Sequence, residues 1–140
     1  MQGLFLEDLS VGQSAELVRT VLEADIEAFA AVTGDNNPVH LDAAFAATTS
    51  FGERIDHGML SAGYISAVIG TQLPGPGAIY LSQALRFKRP VRIGDAVTAR
   101  VTITEIDEAK ARVTLATVCL VNGKLVLDGE ALIMVPRKAA

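Results

Sequence analysis

The sequence is short of the residues that staple or metallate small proteins. It has one cysteine, Cys119, and two histidines, His40 and His57, in 140 residues. A lone cysteine excludes an intramolecular disulfide, and this inventory falls short of a structural zinc site built from Cys and His alone. No metal is expected. Cys119 lies in the apolar run Ala116 to Val121, where nothing nearby would stabilise a thiolate, so it reads as a small buried filler with no chemistry. Only 5 residues are proline, which argues against a disordered tail. The net charge is -4 and the 12 Lys and Arg are scattered, so neither a nucleic-acid surface nor a polybasic membrane anchor is expected. No basic segment followed by an apolar stretch opens the chain as a secretion signal would, and the expected compartment is the cytoplasm.

What is present is the composition of a packed globule, 50% hydrophobic and 20% charged, with no repeat, low-complexity tract or linker. One domain over residues 1–140 is expected. Ser14 to Val21 suits a short strand. Ala24 to Thr33 reads as an amphipathic helix, with Leu22, Ile26, Phe29 and Thr33 at helical spacing, acid at its start and Gly34 behind it. Gly34 to Asp56 is rich in turn formers and reads as one long loop, the kind of excursion that usually carries function.

From His57 to Leu85 there is no charged residue, and His57 to Gly70 is apolar or small on every side, the pattern of a buried core helix. It is shorter than the roughly 20 residues of a membrane span, and the run from Pro74 to Gly77 interrupts any continuation of the helix. Then the period switches to two. Ile79 to Phe87 makes a strand; Val97, Ala99, Val101 and Ile103 alternate with Thr98, Arg100, Thr102 and Thr104; Ala111 to Val121 is rich in β-branched residues; Asn122-Gly123 signals a hairpin. Leu125, Leu127, Ala131 and Ile133 then oppose Lys124, Asp128 and Glu130. An antiparallel sheet wrapped around a central apolar helix satisfies both patterns, which is the α+β hot-dog arrangement, with the long loop overhanging it.

The chemistry-bearing residues cluster in Gly34-Asp35-Asn36-Asn37-Pro38-Val39-His40. On a continuous helix Asp35 and His40 would point about 140° apart. Pro38 disfavours the helical region for Asn37, so the segment turns, and a turn brings a carboxylate and an imidazole toward one point. On spacing alone, two readings stand: an acid–base pair, or a turn-capping Asp35 beside a hydrogen-bonded loop histidine. The second histidine opens Asp56-His57-Gly58-Met59 at the start of the buried helix. There a glycine backbone N–H is either an oxyanion donor or the consequence of tight packing, and His57 reads as a structural residue held by Asp56. Ser66 is a helix hydroxyl that normally bonds back to its own helix. Arg86, Lys88, Arg89 and Arg92 form a modest basic cluster, a solvated strand end or a phosphate contact.

The run Phe29 to His40, with Ala46 after five further residues, resembles the signature of the MaoC-like, hydratase 2 family of (R)-specific enoyl-CoA hydratases. Ile55 to Ser66 and Leu73 to Asp95 resemble its short single-domain bacterial members linked to polyhydroxyalkanoate synthesis. The similarity spans nearly the whole chain, weakest in the first twenty residues and the last two strands. It implies a homodimer of hot-dog subunits acting on acyl-CoA. The catalytic pair would fall on Asp35 and His40, the oxyanion donor on the Gly58 N–H, and supporting roles on Asn37 and Ser66. Ile69 and Leu73 are candidate walls of the acyl pocket, and Arg86 and Lys88 candidate contacts for the coenzyme A phosphates. Asp56 departs from the pattern, because an apolar or small residue is expected before the His-Gly pair.

Reversible addition of water to a trans-2-enoyl thioester, giving the (R)-3-hydroxyacyl product, needs a base for the water, a proton for Cα and a donor for the thioester oxyanion. No cofactor is expected beyond the coenzyme A carried by the substrate. A carrier-protein dehydratase and a hydratase of branched or dicarboxylic acyl-CoA share the motif, and a thioesterase fits it less well. A non-catalytic acyl-CoA-binding protein would be expected to lack Asp35 or His40.

Overall fold

The computed structural model describes residues 2–139. After a single 3-10 turn at Leu6–Asp8 come β1 (Ser14–Thr20), α1 (Glu23–Thr33), α2 (Pro38–Leu41), α3 (Ala43–Ala47), α4 (Gly58–Thr71), β2 (Ile79–Phe87), β3 (Ala96–Asp107), β4 (Arg112–Val121) and β5 (Lys124–Met134). The five strands form one sheet in the order β1-β3-β4-β5-β2, every neighbouring pair antiparallel. Helix α4 packs on β3, β1 and β4. This is the hot-dog arrangement that the alternating strands and apolar helix predict.

The strand pattern translates directly into burial. Val97, Ala99, Val101 and Ile103 of β3, with Val113, Leu115, Thr117 and Cys119 of β4, point into the core, and Thr98, Arg100, Thr102, Thr104 and Thr114 stay at least partly exposed. The β4–β5 hairpin turns at Asn122 and Gly123, whose φ of 51° and 75° are the left-handed pair a two-residue turn requires. Helix α1 begins where Asp25 accepts a hydrogen bond from the Leu22 amide at 2.9 Å, and ends at Gly34 with φ 80°. It buries Ile26 and Ala30, while Leu22 is 55% exposed, so its inward stripe is narrower than the sequence spacing suggests.

Two expectations need correction. The stretch from Gly34 to Asp56 is not a plain loop: Asn37 caps α2, with Pro38 in its first turn, and the Asp42 carboxylate accepts from the Ala44 and Phe45 amides to start α3. Helix α4 is not buried all round. Ser61, Tyr64, Ile65, Val68 and Ile69 face the sheet, whereas Met59, Gly63, Ser66, Ala67 and Gly70 are exposed in the single chain. The other exposed apolar strip is on edge strand β2, at Ile79, Tyr80, Leu81 and Phe87. Among the described residues no helix is long and apolar enough to cross a membrane.

Candidate active site

The turn after α1 is built from side-chain-to-backbone hydrogen bonds. The Asp35 amide donates to Thr33 Oγ1 at 3.1 Å, the Asn37 amide to Asp35 Oδ1 at 3.3 Å, and the Val39 amide to Asn37 Oδ1 at 3.1 Å. This succession of short caps reverses the chain and delivers the buried His40 beside the exposed Asp35. Asp35 therefore is the turn-forming residue of the bland reading and also reaches the histidine, so the two readings do not compete.

A carboxylate oxygen of Asp35 and one ring nitrogen each of His40 and His57 lie within 4.8 Å of one another. His40 Nδ1 is 2.9 Å from the Ile55 carbonyl oxygen, which can only accept, so Nδ1 carries the hydrogen and Nε2 keeps its lone pair. By the same logic His57 Nε2, 2.9 Å from the Asp35 carbonyl oxygen, is a donor. The two rings stack with centroids 4.0 Å apart and planes tilted by 32°, and the Phe29 ring lies 4.7 Å from that of His57. Stacked imidazoles aim their in-plane lone pairs side by side and not at one point, so the geometry suits proton transfer better than a shared metal ion. Arg54 completes the cradle: Nε donates to the His40 carbonyl and Nη1 to Glu23 Oε1, each at 2.7 Å.

For His57 the sequence reading named the wrong partner. It is structural, but its partner is the Asp35 main chain, not Asp56; the Asp56 carboxylate instead accepts from Ser61 Oγ at 3.4 Å. A backbone acceptor has no residue-type signature, so only the His-Gly pair at the helix entry pointed here.

A cavity of about 470 Å³ opens beside this cluster, with His40 and Gly58 in its wall. Gly58 is the first residue of α4, where backbone amides lack intrahelical acceptors. A Cβ at this position would come within 2.6 Å of the Phe87 ring, which would have to shift to admit one. The walls are largely apolar, from Phe51, Ile55, Met59, Val91, Val126 and Leu127, while Lys88 and Arg89 add two cations.

Four other sequence candidates fall elsewhere. Ser66 sits on the exposed face of α4, and the helix hydroxyl that lines the cavity is Ser61, one turn nearer the amino end. Ile69, in helical phase with Ile65, and Leu73, just past the end of α4, are each 2% exposed and belong to the buried core and not to the cavity wall. Arg86 pairs with Asp128 at 3.0 Å on the outside of β2, so of the two proposed phosphate contacts only Lys88 borders the cavity, with Arg89 in place of Arg86.

Comparison with known proteins is consistent across sequence and structure. The profile of the MaoC like domain matches residues 9–123. An (R)-specific enoyl-CoA hydratase of Rhodospirillum rubrum is 56% identical over 134 residues, covering 96% of this chain and 93% of the relative. The unliganded R-hydratase PhaJ1 from Pseudomonas aeruginosa superposes with a TM-score of 0.92 at 53% identity, over 97% of this chain and 88% of that one. The (R)-hydratase from Aeromonas caviae involved in PHA biosynthesis gives a TM-score of 0.90 at 49% identity, over 93% and 99% of the two chains.

Proposed function

Because this chain belongs to the MaoC-like domain family, we propose that it is an (R)-specific enoyl-CoA hydratase, a hydro-lyase that adds water reversibly to trans-2-enoyl-CoA. The observation that carries the reading is the placement of His40 at the wall of a largely apolar cavity with the Asp35 carboxylate beside it. With Nδ1–H committed to the Ile55 carbonyl, Nε2 is the free lone pair, and with the Asp35 carboxylate it holds one water molecule. The pair takes a proton as the water oxygen bonds to Cβ. The electron pair of the double bond moves through Cα to the thioester oxygen, where the Gly58 N–H receives it. When the enolate collapses, Cα takes the proton from the same pair, so hydroxyl and hydrogen add to one face. Asn37 holds the turn that sets the distance.

The chain works as one domain and needs no cofactor beyond the coenzyme A of its substrate, whose phosphates meet Lys88 and Arg89. The exposed face of α4 and the apolar edge strand β2 support a homodimer; Ser66 reaches substrate only if a second copy covers that face. The free, buried Cys119 suits the reducing cytoplasm. By analogy with the Aeromonas caviae relative, the (R)-3-hydroxyacyl product feeds polyhydroxyalkanoate synthesis. Loss of enoyl thioester absorbance with crotonyl-CoA tests the reading, with carrier-protein thioesters as a second arm. Absence of turnover on enoyl-CoA of every chain length would overturn it. Sedimentation as a monomer at micromolar concentration would remove the dimer.

A further inference from the structure

The turn from Thr33 to Asn37 is exposed at every residue and is tied together from within. Among the described residues, all but one of its hydrogen bonds run to partners no more than four positions away. The exception joins it to the body of the protein: His57 Nε2 donates to the Asp35 carbonyl at 2.9 Å, across 22 positions. The Asp35 carboxylate takes part in none of the ion pairs among the described residues, and its own bond, to the Asn37 amide at 3.3 Å, stays inside the turn. Where that carboxylate stands relative to His40 therefore depends on one hydrogen bond from outside.

His57 is 2% exposed at the amino end of α4, its ring centroid 4.0 Å from that of His40 and 4.7 Å from that of Phe29. Its other nitrogen, Nδ1, is buried without a hydrogen-bond partner. Burying an unpaired ring nitrogen is unfavourable, and a phenyl ring would fill the space without that cost. The Nε2–H donor is what the imidazole supplies and a hydrocarbon ring could not.

We infer that His57 is a positioning residue for hydration, setting the Asp35 carboxylate against the reacting water by fixing the main chain that carries it. This rests on the enoyl-CoA hydratase reading. His57 stacks on His40 and is not among the residues lining the cavity, so substrate binding does not call on it. Without its bond the exposed turn is free to carry the carboxylate away from His40 Nε2, and misplacing a catalytic group by about 1 Å costs on the order of 100-fold in rate.

The test is hydration of crotonyl-CoA by two variants that divide the functions of the ring. His57→Gln places an amide near the position of Nε2 but lacks the ring; His57→Phe keeps the ring but lacks the donor. Phe should lose roughly 10- to 100-fold in kcat with KM within about threefold of wild type, whereas Gln should stay within about fivefold of wild-type kcat. A residue that serves packing alone gives the opposite order, and Phe equal to or above Gln overturns the inference. So does a Phe defect that falls on KM and spares kcat. If the Phe chain does not fold, His57→Asn replaces it, because Asn is as polar and ringless as Gln but one methylene shorter; Asn equal to Gln then overturns the inference. A wild-type protein that hydrates no enoyl-CoA overturns this inference and the hydratase reading together. An active wild type in which Gln rescues nothing overturns this inference alone.

Discussion

The β3–β4–β5 meander and the segment from Gly34 to Gly58 are held in place by different means. In the meander, Val97, Val101, Ile103, Leu115 and Ile133 are each at most 1% exposed, and successive ladder bonds fix the register, so its geometry is shared over many residues. In the segment the positions of Asp35, His40 and Ile55 are set by single hydrogen bonds from polar side chains to main-chain groups. One region spreads its stability over area; the other concentrates precision in a few contacts. Substitutions should therefore separate cleanly into those that unfold the protein and those that silence it.

The sharpest test is Asp35→Asn, which keeps the turn acceptor and removes the charge: hydration should fall by about two to four orders of magnitude while the thermal unfolding midpoint barely moves. A variant with near-normal turnover would break the contrast at its centre. On the other side, Leu115→Ala should cost roughly 2–5 kcal/mol in denaturant unfolding and leave KM for the still-folded fraction unaltered. Asp56 lies in the segment without a strong partner, and its folded-state value of about 7 stands above the ordinary 3.8. The folded chain thus holds the proton more tightly than the unfolded one, so wild-type stability should fall as pH rises from about 4 to about 7. Asp56→Asn should lack that decline, gaining roughly 2–4 kcal/mol relative to wild type at pH 8. Equal pH profiles would show that the carboxylate finds a partner in solution. The smallest effect is expected for Arg54→Ala, whose side chain joins Glu23 to the His40 carbonyl: about 1 kcal/mol of stability, with a modest loss of kcat.

The same contrast explains what was legible in the sequence. Period-two alternation marked β3 and β5, β-branched composition marked β4, Asn122-Gly123 marked the β4–β5 hairpin, and the acid-to-glycine polarity of α1 placed its ends within one residue. Those signals are written by burial and turn chemistry, which act on residue type. Helices of four and five residues, such as α2 and α3, are too short to show a period. The one-sided burial of α4 was hidden because its apolar residues run all round and cannot say which neighbour covers them. His57 was hidden because its acceptor is a carbonyl that every residue owns, and the helical phase that exposes Ser66 and lines the cavity with Ser61 emerged only with the packing of α4 on the sheet.

His57 grips the carbonyl of Asp35 and leaves the carboxylate alone. Shape and reactivity at this residue are consequently written in separate parts of the same amino acid, one in the main chain and one in the side chain. An Asp35→Asn or Asp35→Ala chain keeps the clasp, and so should hold an unreacted enoyl thioester in the geometry of the competent complex, a natural trap for crystallography of the bound substrate.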